Sequence, residues 1–296
     1  MTHGPRDFHP TRALVTASDS GIGKATAVAL ARAGMDVGIT WHSDQEGAQA
    51  TAEEVRSHGR RAEIARLDAA DLEGAGDVID DLARRLGGLD VFVNNAGGGG
   101  GETFLEQSLD SWRRTVALNL DGAFVCLQRA ARLMVQGGTG GRLIAVTSVH
   151  EHQPRVGAGS YVAAKHGLGG LLKVAALELG RHGITVNAVA PGEIATQMND
   201  ADDVDPFTID RPGVPLGRPG DAREVAEVIA FLASPGAAYV TGSSYVVDGG
   251  MLQMGPQAGS HLLQDDWRRL SRSPAALPRP VFSKRCSGGR SAVLGM

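Results

Sequence analysis

Arg12-Ala13-Leu14-Val15-Thr16-Ala17-Ser18-Asp19-Ser20-Gly21-Ile22-Gly23-Lys24 is the stretch that decides the architecture. A short apolar run, 12–16, gives way to small and polar residues. A helical pattern then opens at Gly21 and continues to residue 33, where Gly34 ends it. Glycines at a strand-to-helix turn let the backbone approach a pyrophosphate, and the positive end of the helix dipole favours its charge. The expected contacts are Ser18, Ser20, Gly21, Ile22 and Gly23. The spacing is not GxGxxG, so the segment taken alone also reads as a glycine-rich turn without a ligand.

Outward from this turn the chain keeps the same rhythm. Apolar runs at 35–41, 61–67, 89–94, 141–148, 184–190 and 244–247 read as strands. Between them lie helical patterns: a polar one ending near Gly59, then 72–86, 111–135, 160–181 and 222–232. Such alternation requires crossover connections, so the sheet is expected to be mainly parallel with helices on both faces. Residues 1–10 read as a polar tail, 11–254 as one α/β domain and 255–296 as an extension. From about 271 the extension is rich in proline, serine, glycine and basic residues, and it is expected to be disordered. Segment 193–219, with Pro206, Pro212, Pro215 and Pro219 and little periodicity, suits a lid over a pocket.

Composition narrows the function classes. An apolar fraction of 42% in 296 residues is that of a globular chain. A net charge of −4 and a pI near 6.1 leave no basic footprint for nucleic acid. There is no run of eighteen apolar residues, and the first ten residues are polar, so neither a membrane span nor a signal peptide is expected. The two cysteines, Cys126 and Cys286, read as free thiols in a reducing cytoplasm. No metal site is expected.

Further candidates fall at strand ends. Asn94-Asn95-Ala96-Gly97 closes the fourth strand, at the sheet edge where such folds bind ligands, although it also fits an Asn-Gly-type turn. A residue about 20 positions past the glycines normally reads the adenosine ribose, and an acid there repels a 2′-phosphate. Here the second strand ends Thr40-Trp41-His42-Ser43, without an acid. His42, Ser43 and Lys24 are available to donate to a phosphate, which favours NADP and leaves NAD open. Asp68, ending the third strand, is placed to meet the adenine edge or to cap a helix.

Tyr161 and Lys165 are four apart in a helical pattern, so they point the same way. Reducing a ketone needs a proton donor at the carbonyl oxygen; oxidising an alcohol needs a base. A neighbouring ammonium favours the phenolate and brings a tyrosine, ordinarily near pKa 10, closer to working pH. Ser148, at the end of the preceding strand, is placed to hydrogen-bond the reacting oxygen. Asn119, a poor helix former in an apolar stretch, is placed to hold a water leading from Lys165 to solvent. Each of these has a bland alternative, a surface pair or a structural asparagine, and their joint occurrence with the glycine turn outweighs it.

Together these residues resemble the short-chain dehydrogenase/reductase family, over roughly residues 11–250. The shared motifs are Gly21-Ile22-Gly23, Asn94-Asn95-Ala96-Gly97, Asn119, Ser148, Tyr161 with Lys165, and Pro191-Gly192 followed by Thr196. The resemblance implies a single doubly wound Rossmann domain with seven parallel strands, a Ser/Tyr/Lys/Asn proton relay and a homotetramer. It also implies that Pro191, Gly192, Ile194 and Thr196 sit at the nicotinamide end. Ala17 stands where the family has its first glycine; alanine tolerates negative φ, so the turn is expected to survive. Thr147-Ser148-Val149-His150-Glu151 is similar to bacterial glucose 1-dehydrogenases, which implies that His150 and Glu151 line the substrate pocket.

The leading expectation is an NAD(P)-dependent oxidoreductase for an alcohol/carbonyl pair, with a sugar or polyol as substrate. Two others compete. A 3-oxoacyl carrier-protein reductase would want a basic patch beside the pocket, and none is identifiable in the sequence. A dinucleotide-binding sensor would have no need of a tyrosine base.

Overall fold

The structure is a computed structural model that describes residues 8–99, 101–196 and 205–254, all within the unit Met1–Gly255. The extension 255–296 and part of the expected lid, 197–204, lie outside the described residues.

In chain order the elements begin with β1 (Arg12–Val15), α1 (Gly21–Arg32), β2 (Asp36–Trp41), α2 (Gln45–Ser57), β3 (Ala62–Arg66) and α3 (Ala75–Leu86). They continue with β4 (Val91–Asn94), α4 (Leu109–Val116), α5 (Gly122–Gly137), β5 (Gly141–Val146), α6 (Gly159–Leu179) and β6 (Ile184–Pro191). Then come β7 (Ile194–Ala195), β8 (Gly220–Asp221), α7 (Ala222–Ala233) and β9 (Ser244–Val247). Seven strands form one parallel sheet in the order β3-β2-β1-β4-β5-β6-β9. The order reverses between β1 and β4, and the carboxyl ends of strands at such a switch point open onto a crevice. This is the expected doubly wound α/β fold.

Period-2 alternation sorts the strand side chains into two cores. Ala13 and Val15 of β1 face α1, α2 and α7, where Leu30, Val55 and Ile229 are buried. Leu14 between them faces α3, α5 and α6, with Ile79, Leu82, Met134 and Leu172. Each such large apolar side chain, fully buried, contributes roughly 1.5–3 kcal/mol. Among the described residues no helix is long and apolar enough to cross a membrane.

Several boundaries differ from the sequence expectation. The helix expected over 111–135 starts earlier and is two helices, α4 and α5, joined by a π-helical turn at Ala117–Asp121. Ser108 caps α4 by accepting from Ser111 N at 3.1 Å. Asn119, inside the π turn, donates to Gly98 O and Thr115 O at 2.7 and 2.9 Å, so the backbone widens where that side chain turns inward. Helix α3 starts at Ala75 instead of 72, because Asp71 makes a turn whose carboxylate accepts from Gly74 N. The supposed polar tail contains Phe8, which is buried against the Arg142 guanidinium at 4.0 Å. The expected lid is partly regular: β7 pairs with β8, and Arg211 bonds Glu193 at 2.6 Å.

Candidate active site

The glycine turn is stitched to its neighbours by hydroxyls. Thr16 Oγ1 accepts from Asn95 N and Ala96 N, both at 2.9 Å. Ser18 is fully buried; its hydroxyl donates to Val15 O and accepts from Thr40 N. Ser18 therefore holds the loop in place, and its hydroxyl is already engaged within the protein. Ala17 has φ +48°, a left-handed conformation, so the expectation of negative φ is corrected. Its N–H donates to Thr40 Oγ1 at 3.0 Å, and its carbonyl accepts from Asn95 Nδ2 at 2.9 Å, which fixes the peptide on both sides. A Cβ at Gly23 would overlap that same carbonyl oxygen, so position 23 demands glycine.

Helix α1 begins behind Ser20, which is extended and makes no side-chain cap bond, so the first N–H groups of the helix are left to a ligand. That arrangement fits a pyrophosphate. Thr196 leans over it: a Cβ on Gly21 would lie 3.2 Å from Thr196 Cγ2. Ile194 is buried in β7, and Pro191 ends β6. Gly192 donates to Val247 O at 3.0 Å and packs on Asp248 too closely for a side chain. These residues, 191–196, follow the end of β6 on the same side as the turn.

Beside the turn a cleft of about 630 Å³ is lined by Thr40, Trp41, His42, Asp68, Ala96 and Leu118, among others. Its size and apolar floor suit an adenine ring. Asp68 does not cap α3, whose N-cap is Gly74; its carboxylate accepts from Ala70 N at 2.9 Å and lies 3.6 Å from His42 Nε2. Ser43 is exposed. Lys24 lies 3.4 Å from Glu54, on α2, which gives it a partner other than a phosphate.

One acid at this end escaped the sequence reading. Asp19 sits inside the turn, half-buried, with its backbone carbonyl against Gly47 at the start of α2. Burial holds its carboxyl above the ordinary range and the charge of Asp44 adds to this, while a backbone hydrogen bond and His42 oppose it. The tip of β2 is where such folds normally carry an acid. The only available signal was an aspartate within the glycine motif itself.

At the other end of the crevice, Ser148 ends the run that continues β5, in extended backbone. Its oxygen accepts from His150 N at 3.1 Å. Tyr161 and Lys165, on α6, face it. Burial pushes the Tyr161 phenol above its ordinary value; a hydrogen bond with Ser148 and the charge of Arg155 oppose that shift. Lys165 is 2% exposed, and burial lowers its pKa to about 8, opposed by the charge of Glu151. Its ammonium donates to Val146 O at 3.1 Å and stands 5.4 Å from the Tyr161 ring centre. The downward pull on Tyr161 thus comes from Ser148 and Arg155 in this state, and the pull expected from Lys165 is not among its causes.

Asn119 meets this group across Gly97. A Cβ on Gly97 would lie 2.8 Å from Asn119 Oδ1 and 3.1 Å from Lys165 Nζ. The structure therefore brings the Asn94–Gly97 end of β4, the π turn and α6 to one point. Asn119 Oδ1 accepts from Gly98 N at 3.0 Å.

The two expected substrate residues divide. His150 stands edge-on to Tyr161, with ring centres 6.1 Å apart, and its Nδ1 is 2.9 Å from Gln153 O. Because a carbonyl only accepts, Nδ1 carries the proton. The Glu151 carboxylate is turned into the protein, accepting from Thr147 Oγ1 at 2.7 Å and Ser244 Oγ at 3.0 Å.

The chain is similar to known proteins in sequence and in fold. The sequence profile of the family described as enoyl-(acyl carrier protein) reductase matches residues 16–252. The crystal structure of acetoin dehydrogenase YohF from Salmonella typhimurium is similar, with TM-score 0.80, 51% identity and coverage of 84% of this chain and 98% of that one. The 3-oxoacyl-[acyl-carrier-protein] reductase of Synechocystis is 39% identical over 81% of this chain and 96% of its own length. Glucose 1-dehydrogenase 2 of Bacillus subtilis is 36% identical over 83% and 96%.

Proposed function

The chain belongs to the short-chain dehydrogenase/reductase family and is an oxidoreductase acting on CH–OH groups; from that premise we propose that it interconverts a small hydroxyketone and its diketone or diol with a nicotinamide dinucleotide. The observation that carries the reading is the convergence of Ser148, Tyr161 and Lys165 across Gly97 from Asn119, at the end of the crevice that begins with the uncapped helix. A bound nicotinamide, held at the 191–196 end of the crevice, would supply or accept the hydride. Tyr161 gives the proton to the carbonyl oxygen in reduction and takes it in oxidation, so one hydride and one proton convert ketone to alcohol. Ser148 hydrogen-bonds that oxygen and orients it. The ammonium of Lys165 favours the phenolate once the proton has left.

The first substrate class rests on likeness to the Salmonella acetoin dehydrogenase. A sugar is second, from the Bacillus glucose 1-dehydrogenase. A third reading, reduction of a 3-oxoacyl thioester, rests on likeness to the Synechocystis 3-oxoacyl-[acyl-carrier-protein] reductase. Following reduced nicotinamide by absorbance with acetoin, diacetyl, glucose and a 3-oxoacyl thioester separates the three. The reading predicts turnover on the first pair with kcat/KM at least tenfold above glucose; a preference for the thioester would overturn it.

For the cofactor we propose NAD in place of the NADP expected from the strand tip. Lys24 has Glu54 as partner, His42 faces Asp68, and Asp19 brings a carboxylate beside His42. A carboxylate there accepts from ribose hydroxyls and repels a 2′-phosphate. Titration calorimetry with each oxidised dinucleotide tests it, tighter NADP binding being the overturning result.

The assembly we propose is a cytoplasmic homotetramer. Phe124 on α5 and Val174 and Leu177 on α6 are exposed apolar side chains, Leu177 at 85%, and a symmetric partner would cover them. Light scattering at micromolar concentration reads the mass.

A further inference from the structure

We propose that Glu151 is the buried counter-charge of Lys165, a positioning residue that holds the ammonium charged beneath Tyr161, and not a substrate contact. The inference rests on the assignment of Tyr161 and Lys165 above, and its geometry stands apart from that assignment.

A carboxylate buried to 7% exposure needs a reason. Glu151 lies in a one-turn 3-10 helix, Val149–Glu151, that follows Ser148. Its Oε2 accepts from Thr147 and from Ser244 in β9, so two hydroxyls hold it inward. Both hydroxyls have further roles. Thr147 Oγ1 is 3.2 Å from Val189 O in β6, and Ser244 Oγ is 3.1 Å from His152 Nε2. The carboxylate is thus built into the sheet edge.

Helix α6 makes room for it at one position. A Cβ at Gly169 would overlap Glu151 Oε1. Gly169 is one helical turn past Lys165 and on the same face. Both are buried, so the lysine and the glycine that the carboxylate meets lie on one interior strip of the helix surface. The helix carries glycine where the carboxylate presses against it and lysine one turn earlier.

The charges around the ammonium are few. Lys165 faces Val146 O from β5, Asn119 across Gly97 from the π turn, and Tyr161 on its own helix. Glu151 is the charged group that acts on it. His152, 3.9 Å from Glu151, is the titratable neighbour on the far side, and Arg155 acts on Tyr161. Burial alone drives the ammonium toward its neutral form, with a pKa near 8, and Glu151 opposes this. Without the carboxylate the lysine loses its proton at lower pH.

The chain has lysines only at 24, 165, 173 and 284, so the side-chain carbon signals of Lys165 can be assigned with Lys165→Met. Carbon-13 magnetic resonance of the Lys165 Cε, in the full chain without added dinucleotide, reads the titration directly. We expect a midpoint near 8 in the wild type and a clearly lower one in Glu151→Gln. The substitution removes the charge and keeps a group able to bond both hydroxyls. The alkaline limb of the kcat profile should move down with it, with little change at pH 6. A midpoint in Glu151→Gln equal to that of the wild type overturns the proposal, as does a uniform loss of kcat with an unmoved limb. Gly169→Ala displaces the carboxylate without removing it and should shift the midpoint in the same direction, which keeps the test decisive if Glu151→Gln fails to fold. The resonance measurement needs no turnover, so it separates this inference from the functional reading it rests on.

Discussion

Strand β5 has a buried cation near each end. Arg142, its second residue, is 2% exposed, lies at the amino edge of the sheet and is lowered to about 10 by burial. Lys165, also 2% exposed, bonds the carbonyl of Val146 at the carboxyl edge and is lowered to about 8. By burial alone the two are indistinguishable. They differ in what surrounds them. Arg142 donates to Gly141 O and, at longer range, to Ser234 O, and Phe8 lies flat on its guanidinium. Beside it in the sheet, Asp90 gathers five hydrogen bonds from Thr11 and Arg12. At that edge polar groups close on one another. At the carboxyl edge Lys165, Tyr161, Ser148 and the open start of α1 converge on shared space. Buried charge becomes a sign of chemistry only when its neighbours converge without consuming it.

The sharpest way to break this contrast is to remove one atom at the carboxyl edge. Tyr161→Phe keeps the buried ring and deletes the proton path. We expect kcat to fall about 10²–10⁴-fold with dinucleotide affinity and melting temperature nearly unchanged. Turnover within a few-fold of wild type would place Tyr161 with Arg142, as a structural group.

At the amino edge the expected effect is on stability. Asp90→Ala strands the partly buried Arg12 and the N–H groups of Thr11 and Arg12, at a cost of about 3 kcal/mol, the lower end for a broken buried pair because Arg12 is partly exposed. Burial pushes the Asp90 carboxyl up, but the Arg12 and Thr11 hydrogen bonds win and hold it below the ordinary range. Its contribution is therefore full above the unfolded value, about 3.9, and is lost as pH falls through the lower folded value. Urea unfolding at pH 7 and pH 3 should show a large deficit in the variant at the first and a smaller one at the second. A loss of activity without a loss of stability would contradict the division of labour between the edges.

How much of this was legible in the sequence follows from the same contrast. Apolar runs and helical periods pointed to the doubly wound fold, because strands buried on both faces read as continuous apolar runs while the covering helices keep one apolar face. The direction of Glu151 was not legible, since a single 3-10 turn has no period, and its two hydroxyl partners lie four and 93 residues away. Asp19 was missed for a related reason: the reading followed the tip of β2, while the loop that folds against that tip carried the acid. The break at Ala117–Asp121 follows from the inward turn of Asn119, which depends on Gly98 being there to receive it.

A smaller expected effect sharpens the assignment of the adenosine side. Asp19→Asn removes charge and keeps size. The ratio of NADP to NAD affinity should rise about tenfold, equivalent to 1.4 kcal/mol, with kcat on the preferred substrate little changed. An unchanged ratio would mean that the carboxylate does not face the ribose, and discrimination would then lie with His42 and Asp68.

The smallest effect concerns strain. Among the described residues Ala17 is the sole non-glycine with positive φ, and it sits at the carboxyl edge, where the loop must approach a ligand. A left-handed alanine costs about 1–2 kcal/mol. Its amide and carbonyl are both held, by Thr40 Oγ1 and Asn95 Nδ2, so the surrounding structure imposes the conformation. Ala17→Gly relieves that cost but frees the unfolded chain, which returns about 0.4–1 kcal/mol. The net gain should be near 0.5–1 kcal/mol, a rise of about 2 °C in melting temperature for a domain of this size. Removing the Cβ also opens the side of the turn nearest the adenine cleft, so dinucleotide affinity should hold or improve. A fall in melting temperature would show that Ala17 sits in that conformation at little cost, and that the carboxyl edge is as relaxed as the amino edge.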